Sequence, residues 1–159
     1  MLIAGNQFHS SMFGKGIFVV ALCGIASAAV SCPNGYRNYF GDGCYKFVRT
    51  RQSWADSRAL CNQDGGDIAS IHSFEENQAL GAAMPDNQES GSNTFYFWIG
   101  LRCDVDTQQK SWTDGTPVDY TTFYAEQCSN SYGWVLLTQP YQYEWYYEDL
   151  NNEIQVLCK

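Results

Sequence analysis

The chain predicts an α+β domain stapled by disulfides, and three observations lead there. Two capped helical segments come early and most extended apolar segments come late, without the regular alternation that marks βαβ units. Six cysteines remain once an apolar leader is set aside, an even number suited to pairing in an oxidising compartment. At 159 residues, 45% hydrophobic and 16% aromatic, the chain can build one core. No repeat or linker divides it, so residues 32–159 form one domain.

The elements follow in order. Lys15, the apolar run from Gly16 to Ala28 and the small residues Ala26-Ser27-Ala28 read as a secretory signal, cleaved near Ala28. The run is short for a membrane anchor, the alternative reading. Met12-Phe13-Gly14-Lys15 is a more ordinary start for such a leader than the polar stretch from Met1. Tyr36–Phe40, the turn Gly41-Asp42-Gly43 and Cys44–Val48 predict a hairpin, which a Cys32–Cys44 bridge would clip shut. Ser53-Trp-Ala-Asp56 starts a first helix, which Gly65-Gly66 stops. Asp67–Ile71 is an extended link. Ser73-Phe-Glu-Glu76 is a capping box for a second helix, with Leu80 and Met84 on one face. Pro85 to Asn93 is a loop. Thr94–Arg102 predicts a buried strand, and Asp114-Gly115 a hairpin turn. The chain is then loop-like until a strand at Trp134–Leu137. Tyr141, Tyr143, Trp145 and Tyr147 alternate with Gln142, Glu144, Tyr146 and Glu148, a period of two that predicts a half-buried strand. Ile154–Cys158 closes the domain as a strand.

Charge narrows the function. After cleavage, eight basic residues stand against seventeen acidic ones, a net of −9, and the bases are scattered singly. Nothing there could neutralise a phosphate backbone, so nucleic acid is a poor partner. The acidity also disfavours anionic membranes. The chain has no Asn-x-Ser/Thr sequon for N-glycosylation.

Several ordered motifs resemble the C-type lectin-like domain family. Cys32-Pro-Asn-Gly-Tyr with Cys44-Tyr-Lys-Phe, Trp54 to Gly66, and Ile68-Ala-Ser-Ile-His-Ser-Phe-Glu-Glu-Asn77 resemble the first half of its long form. Trp98-Ile-Gly-Leu101 resembles its central strand, and Ser111–Tyr120 the hairpin that follows in secreted invertebrate members. The resemblance implies two helices flanking two small antiparallel sheets, with a long loop region and the terminal strands side by side. It also implies the bridges Cys32–Cys44 and Cys61–Cys158. On chain entropy the long closure is worth about 4–5 kcal/mol and the short one about 3.

The chain departs from the family pattern in its binding half. The family's second internal bridge would fall at Trp134 and Leu150, where large apolar residues stand instead. Cys103 and Cys128 lie outside the common set; pairing with each other is one expectation, two free thiols or a bond to another chain the alternatives. Family lectins hold sugar on Ca²⁺ with a Glu-Pro-Asn or Gln-Pro-Asp segment and a Trp-Asn-Asp segment, because the ion needs six to eight hard oxygens. Here Glu126-Gln127-Cys128 and Trp145-Tyr146-Tyr147 occupy those segments. Glu126 is left as a single carboxylate, or Glu148-Asp149 could swing in if the register shifts by two. No metal and no cofactor is therefore expected. Glu126, Gln127 and Tyr146 are the candidate ligand-binding residues.

Other constellations are weaker. Asp104-Val-Asp106-Thr-Gln108 lacks the glycine and glutamate an EF-hand loop requires. His72, the one histidine beyond the leader, is expected to be structural or on the surface; a zinc site lacks companions and no nucleophile elbow accompanies it. Glu75 and Glu76 point about 100° apart on a helix, and Glu76 serves the cap. Catalysis is not expected. The sequence predicts a secreted, extracellular recognition module for a glycan or protein ligand, calcium-independent. The alternatives are a calcium-dependent lectin with a rearranged site and a structural or interaction protein without sugar affinity.

Overall fold

The computed structural model of the chain describes residues 30–85, 96–125, 128–137 and 142–159. The leader expected over Met1–Ala28 lies outside them, as does most of the loop expected over Pro85–Asn93. Among the described residues, eight strands and two helices run β1 (Arg37–Phe40), β2 (Gly43–Gln52), α1 (Trp54–Gln63), α2 (Phe74–Ala83), β3 (Tyr96–Ile99), β4 (Leu101–Cys103), β5 (Lys110–Trp112), β6 (Tyr132–Leu137), β7 (Trp145–Asp149) and β8 (Ile154–Cys158). No helix among the described residues is long and apolar enough to cross a membrane.

Both helices start where their caps dictate. The Ser53 hydroxyl accepts from the Asp56 amide at 3.2 Å and the Ser73 hydroxyl from the Glu76 amide at 3.1 Å. Beyond α1, Gly65 takes φ +89° and the chain turns back, the Gly66 amide donating to the Cys61 carbonyl at 3.2 Å.

The larger sheet has six strands in the order β1-β2-β8-β3-β6-β7, and β4-β5 form a separate pair. Two helices and two sheets make the expected α+β fold, with the larger sheet mixed rather than purely antiparallel. The mixing has a simple cause. The last strand returns beside β2, antiparallel, and its other edge meets β3 in parallel. All five residues of β8 are buried there, so it is apolar with little alternation.

Alternation across this sheet makes two cores. Trp98, Val135, Val156 and Cys158 face Cys61 of α1. Phe97, Ile99, Trp134, Leu136, Trp145 and Leu157 face Leu80 of α2, with Trp112. The apolar run expected as one strand over Thr94–Arg102 is divided at Gly100, where any Cβ would collide with the Ile68 carbonyl and the Thr113 hydroxyl. β3 joins the large sheet and β4 leaves it.

Three disulfides join Cys32 to Cys44, Cys61 to Cys158 and Cys103 to Cys128. The second ties α1 to β8, which compensates for the small buried face of α1, Ser57 and Cys61. On α2 the buried face is more polar than the capping pattern suggests. Glu76, only 4% exposed, bonds the His72 amide, the Tyr45 hydroxyl and Lys159 Nζ rather than simply closing its own cap.

Two other expectations are corrected. The β4–β5 hairpin turns at Asp104–Gln109, not at Asp114-Gly115, which leads into residues without regular structure. Asp104 Oδ1 accepts from the amides of Asp106 (3.0 Å) and Thr107 (2.8 Å), so a side chain closes that turn. The alternation expected from Tyr141 also fails before Trp145. Gln142 and Tyr143 have φ +53° and +62°, a left-handed turn in place of extended chain.

Candidate functional site

The described part of the binding half comprises residues 103–125, 128–131 and 142–150, which include β7 at the edge of the large sheet. Its floor is Trp145. This indole donates from Nε1 to Asn77 Oδ1 at 2.8 Å, and Trp112, Tyr120 and Phe123 meet it edge-on at 5.4, 5.6 and 5.7 Å. The chain then crosses the edge of the sheet. The Trp145 amide donates to the Thr122 carbonyl at 2.7 Å and the Tyr124 amide to the Trp145 carbonyl at 2.9 Å.

Four phenols line that edge. Tyr146 stacks on Tyr147 with centroids 4.6 Å apart and rings 18° from parallel. Tyr124 lies 6.2 Å from Tyr146, and Tyr132 lies 5.3 Å from Tyr147. Tyr124 is 56% exposed and Tyr146 is half-buried. A hydrogen bond with Tyr147, then burial, then the nearby Tyr147, Glu148 and Tyr124 groups push the Tyr146 phenol above its usual 10.0. It stays neutral at physiological pH.

The described part of this edge presents phenols rather than the carboxylates and carbonyls that calcium prefers. The resemblance aligns the stacked pair Tyr146–Tyr147 with the family's amide and carboxylate, and a phenol is a poor substitute for a carboxylate around Ca²⁺. Glu148 and Asp149 are engaged elsewhere. Glu148 accepts from the Asn152 amide group at 2.9 Å, and Asp149 caps the following turn through the Asn151 backbone at 2.9 Å. Among the described residues no three His, Cys, Asp or Glu side chains gather as a metal site.

Of the candidate ligand residues, Tyr146 lies on this edge, and Glu126 and Gln127 fall outside the described residues. Sequence reasoning missed Tyr124, which sits in a segment without periodic pattern. It also placed the lost family bridge one residue off. Trp134 faces Phe123 and Tyr147, on the other side of the sheet from Leu150. A Cβ at Gly133, in contrast, would lie 3.0 Å from Leu150 Cδ2, between Trp54 and Trp98. Glycine and leucine, rather than tryptophan and leucine, occupy the paired positions.

His72 is at the centre of a second polar cluster. Its Nδ1 lies 2.8 Å from Asp119 Oδ1, and its Nε2 lies 3.0 Å from Ser70 Oγ and 3.2 Å from Thr116 Oγ1. Those partners are the types of a hydrolase triad. The environment denies them that chemistry, because Ser70 is 1% exposed and donates its proton to Asp114 Oδ2 at 2.5 Å. A buried hydroxyl already given to a carboxylate cannot attack a substrate. The cluster instead staples residues 114–119 to the link between the helices. The His72 hydrogen bond holds the Asp119 carboxyl below its usual 3.8. Burial would raise Asp114, but hydrogen bonds from Ser70 and Thr116 outweigh it and hold that carboxyl low too.

Sequence and structure comparisons agree with this architecture. The family model for the lectin C-type domain matches residues 50–159. The chain belongs to the C-type lectin-like domain family, whose members are generally binding proteins rather than enzymes. It is 30% identical to Snaclec A10 of Macrovipera lebetinus over 149 residues, covering 84% of this chain and 94% of that one. It is 29% identical to a coagulation factor IX/factor X-binding snaclec of Trimeresurus stejnegeri, covering 74% and 78%. Among solved structures, a calcium-independent type II antifreeze protein superposes with a TM-score of 0.67 at 27% identity, covering 83% of this chain and 95% of that one.

Proposed function

We propose that this chain is a secreted recognition module that binds a glycan or an extracellular protein without calcium, through the tyrosine edge of β7. The observation that carries the reading is the stacked pair Tyr146–Tyr147, at the positions where a metal-dependent relative needs oxygen ligands. Rigid phenols provide a large contact area at low entropic cost, with a hydroxyl to fix orientation. Tyr146 is the central ligand residue, and Glu126 and Gln127, next to Cys128 in the sequence, add polar groups for the ligand. A superposing protein described as calcium-independent supports the metal-free reading, and a relative named for binding coagulation factors supports a protein ligand. Three disulfides and the leader-like sequence before them favour secretion.

Glycan-array binding with and without EDTA, run beside calcium titration calorimetry, tests this. Glycan signal that survives EDTA and falls with Tyr146→Ala is the expected result. Stoichiometric calcium uptake that switches on saccharide capture would overturn the proposal. No glycan signal in either condition, with no calcium uptake, leaves a protein as the ligand.

A further inference from the structure

A separate cleft of about 370 Å³ is lined among the described residues by Phe74, Gln78, Tyr120, Thr122, Gln142 and Glu144. None of these belongs to the tyrosine edge. We infer that this cleft is a calcium-free saccharide subsite, which takes one pyranose unit between an aromatic wall and a ring of amide and carboxylate acceptors. The inference rests on the metal-free reading of the chain and gives it a second, distinct location.

Four observations converge on it. The volume falls within the roughly 300–1,000 Å³ of small-molecule clefts. Phe74 is 59% exposed at the first position of α2, although six residues before Leu80 it lies well off the buried stripe and packing does not require it there. An exposed ring beside Tyr120 offers the apolar face that a sugar ring stacks on. The polar lining is mostly neutral: two carboxamides, the Thr122 hydroxyl and the Tyr120 phenol, which hydrogen-bond each other, and the single carboxylate of Glu144. Gln142 meets Gln78 through its backbone carbonyl, which leaves its carboxamide outside that contact. Such a set pairs with vicinal hydroxyls, whereas an anionic ligand would meet Glu144 with no cation in the lining.

The backbone is also arranged for it. Gln142 and Tyr143 both hold left-handed φ values, +53° and +62°, a conformation that non-glycine residues rarely adopt. Tertiary contacts impose it. Asn77 Nδ2 donates to the Tyr143 carbonyl at 2.8 Å, and the Tyr143 ring fills the space left by the missing side chain of Gly81. Gln78 Nε2 reaches the Gln142 carbonyl at 3.4 Å and joins the two walls. This turn carries Gln142 and Glu144 to the mouth of the cleft.

Ligand-observed saturation-transfer NMR on the mature chain in EDTA tests the inference. The probes are methyl glycosides of glucose, galactose, mannose and N-acetylglucosamine, with tetramethylammonium as the cationic control. At least one glycoside is expected to receive saturation. Phe74→Ala and Glu144→Gln should each weaken it by about tenfold with melting temperature unchanged, since one charged hydrogen bond or one stacked ring is worth about 1.4 kcal/mol. In a Tyr146→Ala background, which silences the tyrosine edge, the saturation that remains should still fall about tenfold with Phe74→Ala or Glu144→Gln. The inference is overturned by no saturation of any glycoside, by tetramethylammonium binding in place of the sugars, or by loss on Tyr146→Ala alone. That last result would leave the tyrosine-edge proposal standing, whereas binding that requires calcium would defeat both.

Discussion

The part of the molecule around β8 and the part around β7 are held together by different chemistry. Around β8, restraint is buried. Cys61–Cys158 closes a span of 97 residues, and Glu76 receives Lys159 and Tyr45 in a pocket nearly closed to water. Around β7, the restraint is largely at the surface. Asp104, Asp114 and Asp149 each cap a turn, and His72 grips the exposed Asp119. Exposed polar contacts are individually weak because water competes for them, while a buried charge cannot lose its partner cheaply. The part around β7 is therefore expected to tolerate substitution more readily, and most of the proposed binding residues lie there.

Four experiments would sharpen or break that contrast. The largest effect is expected from the bridges. Replacing Cys61 and Cys158 together by serine should cost about 4–5 kcal/mol in chemical denaturation, against about 3–4 for Cys103 and Cys128, which close only 25 residues. Equal losses would mean that the loop bridge does more than limit chain entropy. Next, Glu76→Ala strands Lys159 and the Tyr45 phenol, and should cost about 3 kcal/mol by the same measurement. A change below about 1 kcal/mol would contradict the claim that this half depends on a buried ion.

A third test addresses the lost family bridge. Gly133→Cys with Leu150→Cys should form a disulfide detectable by non-reducing peptide mapping and stabilise the fold by about 2 kcal/mol. That is less than the chain-entropy figure of about 3 because the sulfur must fit between Trp54 and Trp98. Trp134→Cys with Leu150→Cys should stay reduced, since the two side chains lie on opposite faces of the sheet. Bridging in that second variant would reinstate the register expected from sequence.

The smallest effect is a pH dependence confined to the loops. Asp114 and Asp119 both have folded-state carboxyl groups held below the ordinary 3.8. The stability they contribute is present above that value and is lost as pH falls through the lower folded-state one. Amide chemical shifts of Thr116 should therefore move on acidification below the ordinary carboxylate range before those of Leu157 do. Simultaneous movement would show that the two parts unfold as one unit.

The sequence and the fold agree best where the signal is local. Ser53 and Ser73 cap helices because a hydroxyl three residues from an amide needs no distant partner. The expected division into early helices and late strands holds for the same reason. Agreement fails where a residue's role depends on what packs against it. Tyr141 to Tyr147 has strand periodicity, but Asn77 and Gly81 in a distant helix draw Gln142 and Tyr143 into a left-handed turn. Asp114-Gly115 has the composition of a hairpin turn, but the chain after it bonds to Ser70 and His72 instead of to a strand. Ser70 carried no signal at all, being an ordinary serine in an apolar stretch.

By itself, the order of residues determined the helix starts, the even set of cysteines and the family. These depend on chemical identity and short spacing. Only the tertiary structure decided that Glu76 is a buried hub, that Gly133 faces Leu150, and that Phe74 shares a cleft with Glu144. Those relations join positions far apart in the chain, and hydrophobic burial, which is non-directional, becomes specific only once the packed neighbours are in place.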